Sequence, residues 1–237
     1  MKKIIGSAAL LIALTFSVLS FGLKNTTVSS KGDQQPTPNG YLVMNYNVRD
    51  KVIYTKYTKA VNQLWAKYKG ELIIYTSVSK PAEGAPGSVV AVVRFPTAAD
   101  AEKCYNSSQY TALKKLRAAS TEGSVLLAQS NMPAVISNNK IKHHGYMIAN
   151  YEIKNQATFQ KYMDAAGTLA PKYNGEVTIF DFKAKVLEGK GKPVFGVAEF
   201  NSLKEAEKFY NSQEYTLARR FRITSTEGTV LLAQGSK

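Results

Sequence analysis

The chain has 237 residues, enough for one large domain or two modules of about 100 residues each, and its 44% hydrophobic content excludes a disordered chain. A single cysteine, Cys104, excludes an intramolecular disulfide, so stability has to come from core burial. The net charge of +14 makes the protein basic and attractive to anions, but its lysines are dispersed and no nucleic-acid motif accompanies them, so nucleic acid is not an expected partner.

At the N-terminus, Lys2 and Lys3 precede an apolar stretch over residues 4–21 that ends in Ser20, Phe21 and Gly22. These are the parts of a secretory signal peptide, with cleavage expected after Gly22. Gly6, Ser7, Thr15, Ser17 and Ser20 dilute the stretch and argue against a retained membrane span. The expectation is a periplasmic or secreted protein with no transmembrane segment after cleavage. Residues 23–39 are polar, contain Pro36 and Pro38, and read as a flexible leader.

From residue 41 to 48 apolar and polar residues alternate, with Leu42, Met44, Tyr46 and Val48 on one face and Tyr41, Val43, Asn45 and Asn47 on the other; this predicts a strand. Ile53, Tyr57, Ala60, Val61, Leu64 and Tyr68 then fall at helical spacing and form one apolar stripe. Gly70 ends that helix, and residues 72–78 predict a second strand, with Val43, Ile73 and Tyr75 on the face away from the helices. Residues 81–87 read as a turn-rich loop and 88–95 as a third strand. Residues 98–105 and 108–119 follow as helices, and 125–129 as a last strand.

Residues 130–144 read as a linker, after which the pattern starts again. Gly40-Tyr41 returns as Gly145-Tyr146, and Lys56-Tyr57 as Lys161-Tyr162. Tyr105-Asn106-Ser107 returns as Tyr210-Asn211-Ser212, and Ser120-Thr121-Glu122-Gly123 as Ser225-Thr226-Glu227-Gly228. Every pair is separated by 105 residues without a gap, so the repeat is a duplication. The expected fold is α+β: two ferredoxin-like βαββαβ modules, at residues 40–129 and 145–237, packed sheet to sheet as an intramolecular dimeric α/β barrel in a monomeric chain.

The segment Tyr105-Asn106-Ser107-Ser108-Gln109-Tyr110, with Leu113, Arg117 and the closing Gly123-Ser124-Val125-Leu126-Leu127, resembles the domain of unknown function family numbered 1330. So do the opening Gly40-Tyr41 and Tyr68-Lys69-Gly70-Glu71, and the second copy repeats the resemblance through Arg222 and Gly228. The resemblance implies the dimeric α/β-barrel superfamily, whose members include cofactor-free oxygenases, haem-degrading enzymes and muconolactone-isomerase-like proteins. It carries no activity of its own to transfer.

Candidate chemistry is sparse. The only histidines, His143 and His144, sit together in the linker, a poor place for a metal or haem ligand set, so neither metal nor cofactor is expected. Cys104 becomes Phe209 in the second copy and reads as packing. Asn45 and Asn150 face the expected barrel interior and must be hydrogen-bonded, to one another or to a ligand. Glu71 and Glu176 suit a general base if desolvated, or an edge pair with Lys67 and Lys172. Arg117 and Arg222 suit an anion clamp, or a salt bridge to Glu122 and Glu227. Tyr105, Tyr110, Tyr210 and Tyr215 read as packing residues with their hydroxyls at the rim. The copies differ at Arg94 against Glu199, Tyr75 against Phe180 and Trp65 against Ala170, so any pockets in them are chemically unequal. The leading expectation is a barrel that binds a small anionic or aromatic molecule without catalysis. The alternatives are a cofactor-independent oxygenase or isomerase and a structural envelope protein.

Overall fold

A computed structural model describes residues 37–130 and 145–235. The expected signal peptide, nearly all of the expected leader, and linker residues 131–144 with both histidines lie outside the described residues.

Module 1 runs β1 (Gly40–Val48), α1 (Lys51–Lys67), β2 (Glu71–Glu83), β3 (Val89–Phe95), α2 (Ala98–Tyr105), α3 (Ser108–Ser120) and β4 (Thr121–Gln129). Module 2 repeats it as β5 (Gly145–Ile153), α4 (Gln156–Ala166), a 3-10 turn (Ala170–Tyr173), β6 (Gly175–Asp181), β7 (Lys185–Glu188), β8 (Val194–Phe200), α5 (Leu203–Tyr210), α6 (Gln213–Ser225) and β9 (Thr226–Gly235). Caps set the helix starts. Asp50 accepts from Val52 N and Ile53 N at 2.8 and 2.9 Å, while Ser107 and Ser212 cap α3 and α6 through Tyr110 N and Tyr215 N.

The strands are ordered β6-β8-β5-β9-β2-β3-β1-β4-β7. The modules exchange strands. β2 begins on β3 of its own module, then continues past Thr76 and pairs with β9 as far as Glu83↔Val230. In return β7 pairs with β4, through Val125↔Glu188 and Leu127↔Lys185. Leu42, Met44 and Tyr46 pack under the module 1 helices, whereas Tyr41 and Val43 join Ile148, Ile179, Phe195, Val197 and Leu231 in a layer drawn from both modules. The architecture is the expected pair of ferredoxin-like units closed into an α/β barrel.

Two local expectations are corrected. Residues 81–83 are strand and not loop, because β9 of the other module supplies a ladder, and a register shift between Pro81 and Glu83 accommodates the proline. Tyr75 lies on the helix side, against the module 1 core. An irregularity between Leu72 and Ile74 inserts one residue, so Ile74 takes the interior position opposite Val92 and Tyr75 the outer one opposite Ala91.

Gly123 and Gly228 sit at equivalent places in the antiparallel pairing of last strand with first, opposite Tyr46 and Tyr151. A Cβ at Gly123 would meet Asn45 O at 2.1 Å and Tyr46 Cα at 2.5 Å, and one at Gly228 would meet Asn150 O at 2.2 Å. Both obstacles are backbone and cannot swing aside. Gly123→Ala and Gly228→Ala are each expected to destabilise the chain by roughly 1–3 kcal/mol. The losses should add in the double variant, as chemical denaturation would show.

Candidate functional site

The helix side of module 1 holds a cavity of about 280 Å³ between α1 and the sheet. Tyr54, Tyr57, Val61 and Trp65 line it from one face of α1, Tyr46 from β1, and Leu72 and Tyr75 from β2. Thr58 and Asn62 complete the α1 wall, and exposed Asn62 and Leu72 mark its mouth. The Tyr46 and Tyr54 hydroxyls share a hydrogen bond of 2.9 Å, and Tyr54 and Tyr75 another of 3.3 Å. Burial pushes the Tyr46 and Tyr54 hydroxyls far above the usual phenol range, so both are neutral at physiological pH. Trp65 is only 4% exposed, and among the described residues no group accepts a hydrogen bond from its Nε1–H, which is itself buried. The wall contains no charged side chain, histidine or thiol. It therefore does not fit the ligand sets usual for zinc, and a haem-ligating histidine is likewise missing from it.

None of the six residues singled out in the sequence lines this cavity. Asn45 and Asn150 do face the barrel interior, but they do not pair with each other. Asn45 Nδ2 donates to Gly87 O and Val89 O and its Oδ1 accepts from Gly87 N, while Asn150 makes the same three bonds with Lys192 and Val194. Each amide pins the loop entering its own module's third strand. The interior gap they border, about 20 Å³, has room for roughly one water. Glu71 is exposed and pairs with Arg94 at 2.5 Å, not with Lys67; that partner becomes Glu199 beside the half-buried Glu176.

Arg117 and Arg222 are buried, and their partners are not Glu122 and Glu227. Arg117 Nη2 donates to both oxygens of Glu188 at 2.6 and 2.7 Å, and Arg222 donates through Nη1 and Nη2 to Glu83 at 2.7 and 2.6 Å. Each carboxylate comes from the other module's exchanged strand. Tyr105 donates to Glu188 and Tyr210 to Glu83, so these hydroxyls belong to the clamp. Tyr110 is fully buried, its hydroxyl 3.4 Å from that of Tyr57. Glu83 and Glu188 are themselves separated by 105 residues, which is the signal that would have found them.

A family model described as Domain of unknown function (DUF1330) matches residues 39–131 and again residues 144–236. The chain belongs to this family. No curated protein matches it significantly. Among solved structures it is similar to an anthrone oxidase-like protein, at 12% identity with a TM-score of 0.54, over 85% of this chain and 92% of that one. A variant chlorite dismutase from Candidatus Nitrospira defluvii is similar at 12% identity and a TM-score of 0.51, over 84% of this chain and 91% of that one. Likeness at this identity establishes the fold.

The two DUF1330 modules share the clamp but not the cavity. At the places of Tyr54, Thr58, Asn62, Trp65 and Tyr75, module 2 has Phe159, Met163, Gly167, Ala170 and Phe180. Phe159 and Phe180 pack about Phe182, with ring centroids 6.3 and 4.9 Å from it. The clamp, in contrast, is kept twice. Burial alone would raise the Glu83 and Glu188 carboxyls, but hydrogen bonds and charge from Arg222 and Arg117 outweigh it and hold both below the usual range. Their stabilisation is complete above the ordinary carboxyl value, about pH 4.3, and is lost as pH falls through the lower folded value. Arg222→Met alone is expected to cost about 3 kcal/mol or more, since Glu83 is then left without its counter-charge. Glu83→Leu combined with Arg222→Met should recover most of that loss in urea unfolding. Equal losses in the single and double variants would mean that the ion pair does not hold the exchanged strand.

Proposed function

We propose that this protein is an exported single-chain barrel that binds a small aromatic molecule in the module 1 cavity without altering it chemically, with module 2 as structural partner. The observation that carries the reading is the cavity itself, walled by Tyr46, Tyr54, Tyr57, Trp65 and Tyr75 in one module, where the other keeps Tyr151 and Tyr162 but has Phe159, Ala170 and Phe180 in place of Tyr54, Trp65 and Tyr75. A fold that needed only packing would not keep a polar aromatic wall on one side. The volume of about 280 Å³ is nearly twice the ~150 Å³ that admits a benzene ring, so a two-ring molecule fits. Of the two ligand classes expected, aromatic is favoured over anionic, because no cation lines the wall. Non-catalytic binding is favoured over turnover, because the buried Tyr46 and Tyr54 hydroxyls are held too neutral to serve as bases near pH 7. Export rests on the signal-like pattern of residues 1–22.

Trp65 is the sole tryptophan, so its emission reports directly on the cavity. Titration with one- and two-ring aromatics should change that emission saturably. Ala91→Leu, which fills the cavity from β3, should abolish the response while leaving the circular dichroism intact. Absence of both a saturable emission change and calorimetric heat across the whole panel would sink the reading.

A further inference from the structure

The outer face of module 1 carries a charge pattern that neither the fold nor the cavity requires. Helices α1 and α3 pack side by side and contain Lys51, Lys56, Lys59, Lys67, Lys114 and Lys115, with no Asp or Glu on either. Among the described residues none of these lysines makes a salt bridge; Lys114 lies over the Tyr105 ring, and the others are exposed. Lys59 is two positions from both Tyr57 and Val61, and Lys115 two from Arg117, so each projects away from the buried side of its helix. The acids that flank the two helices in the chain are all engaged. Asp50 caps α1, Glu71 pairs with Arg94, Glu102 with Lys185 and Glu122 with Arg49.

The pattern works against the helices themselves. Lys51 stands in the first turn of α1, where the helix dipole disfavours a cation, and Lys56 repels Lys59 one turn on. Module 2 avoids both: the equivalent places on α4 hold Gln156, Lys161 and Asp164, and α6 has Glu214 in its first turn. The acid-free face thus belongs to the module with the cavity, and Asn62 at the cavity mouth is one turn on from Lys59. Charge spread over two helices forms a surface and not a groove, which suits a planar array of anions. Val52, 69% exposed, lies among Lys51, Lys56 and Lys59 on α1. An apolar side chain there gains from the acyl boundary of a bilayer and nothing from a hydrated polymer.

We propose that the lysine face of α1 and α3, beside the cavity mouth, docks on an anionic lipid bilayer. Vesicle co-sedimentation tests it, with the chain from Leu23 on, which keeps every described residue and omits the apolar N-terminal stretch that would itself insert. Phosphatidylcholine vesicles with about one-third phosphatidylglycerol should bind the protein at about 0.1 M salt and release it at about 0.5 M, and pure phosphatidylcholine should not bind it. Lys56→Gln, Lys59→Gln and Lys115→Gln together should weaken partitioning roughly a hundredfold, about fivefold for each lysine. The same loss of charge on module 2, through Lys161→Gln, Lys204→Gln and Arg220→Gln, should weaken it less than about tenfold. All six substituted positions are exposed, so both triple variants should keep the circular dichroism of the parent. Equal losses in the two variants would mean that net charge alone attracts the protein, and the assignment to this face falls. Salt-insensitive binding, or equal binding to pure phosphatidylcholine, overturns the electrostatic basis. Tighter binding to a soluble acidic polysaccharide, polygalacturonate, than to the anionic vesicles would make a hydrated polymer the partner and overturn the lipid assignment. No aromatic ligand enters this test, so the cavity reading stands or falls separately, on its own titration.

Discussion

Each module lends the other a strand and a carboxylate, and the rest of the architecture depends on that exchange. Arg117 and Arg222 are 4% and 2% exposed, and a guanidinium at that depth is tolerable only with a charged, well-oriented acceptor. Neither module contains its own. Glu188 reaches Arg117 because β7 pairs with β4, and Glu83 reaches Arg222 because β2 runs on to β9. Lys80 with Glu207 and Lys185 with Glu102 add a second, more exposed pair to each crossing. An isolated module would present a buried arginine without a counter-ion and a sheet face without cover. The pairing of modules is thus part of the folding of each.

The same exchange decides where a ligand can go. With two sheets drawn together, Val43, Ile74, Val92, Phe195, Val197 and Leu231 meet in one apolar layer, and the gap left is about 20 Å³. Space of molecular size lies instead on the outer side, beneath the helices. Duplication then allows what a symmetric dimer forbids. Two identical subunits must carry identical pockets, whereas two fused copies can drift apart. Module 1 has Tyr54, Trp65 and Tyr75. Module 2 has Phe159, Ala170 and Phe180 there, and its second strand is interrupted at residues 182–184, where Asp181 fastens the break by accepting from Lys183 N and from Gln129 N of module 1.

Most of the fold was legible in the sequence, because a gap-free repeat fixes which segments are equivalent and alternation fixes their faces. The exchanged strand was not. Pro81, Gly84, Pro86 and Gly87 look like turn residues, and the ladder that makes residues 81–83 extended comes from the other module, about 150 positions away at Val230 and Leu231. With the strand hidden, Glu83 and Glu188 were hidden too, and the arginines were assigned to carboxylates near in sequence. Tyr75 was placed on the wrong face by one inserted residue, since alternation has no memory across a bulge. The cavity was half visible. The contrasts Trp65 against Ala170 and Tyr75 against Phe180 flagged unequal pockets, while of the residues singled out as candidate ligands Asn45, Asn150, Arg117 and Arg222 bond to loops and strands and Glu71 pairs with Arg94.

That division follows from the geometry of a duplicated barrel. Residues that maintain the pairing of modules are needed on both sides of the pseudo-two-fold axis and stay alike. Residues that serve a ligand are needed wherever the ligand binds, and one copy suffices. The two sets are nevertheless in contact. Tyr57 lines the cavity, its hydroxyl meets that of Tyr110, and the charge of Arg117 bears on Tyr110 from the far side. Leu187, on the strand that delivers Glu188, packs against the same module 1 core. The floor of the cavity is therefore supported by a segment of module 2, and the copy without the cavity's polar wall still shapes the one that has it.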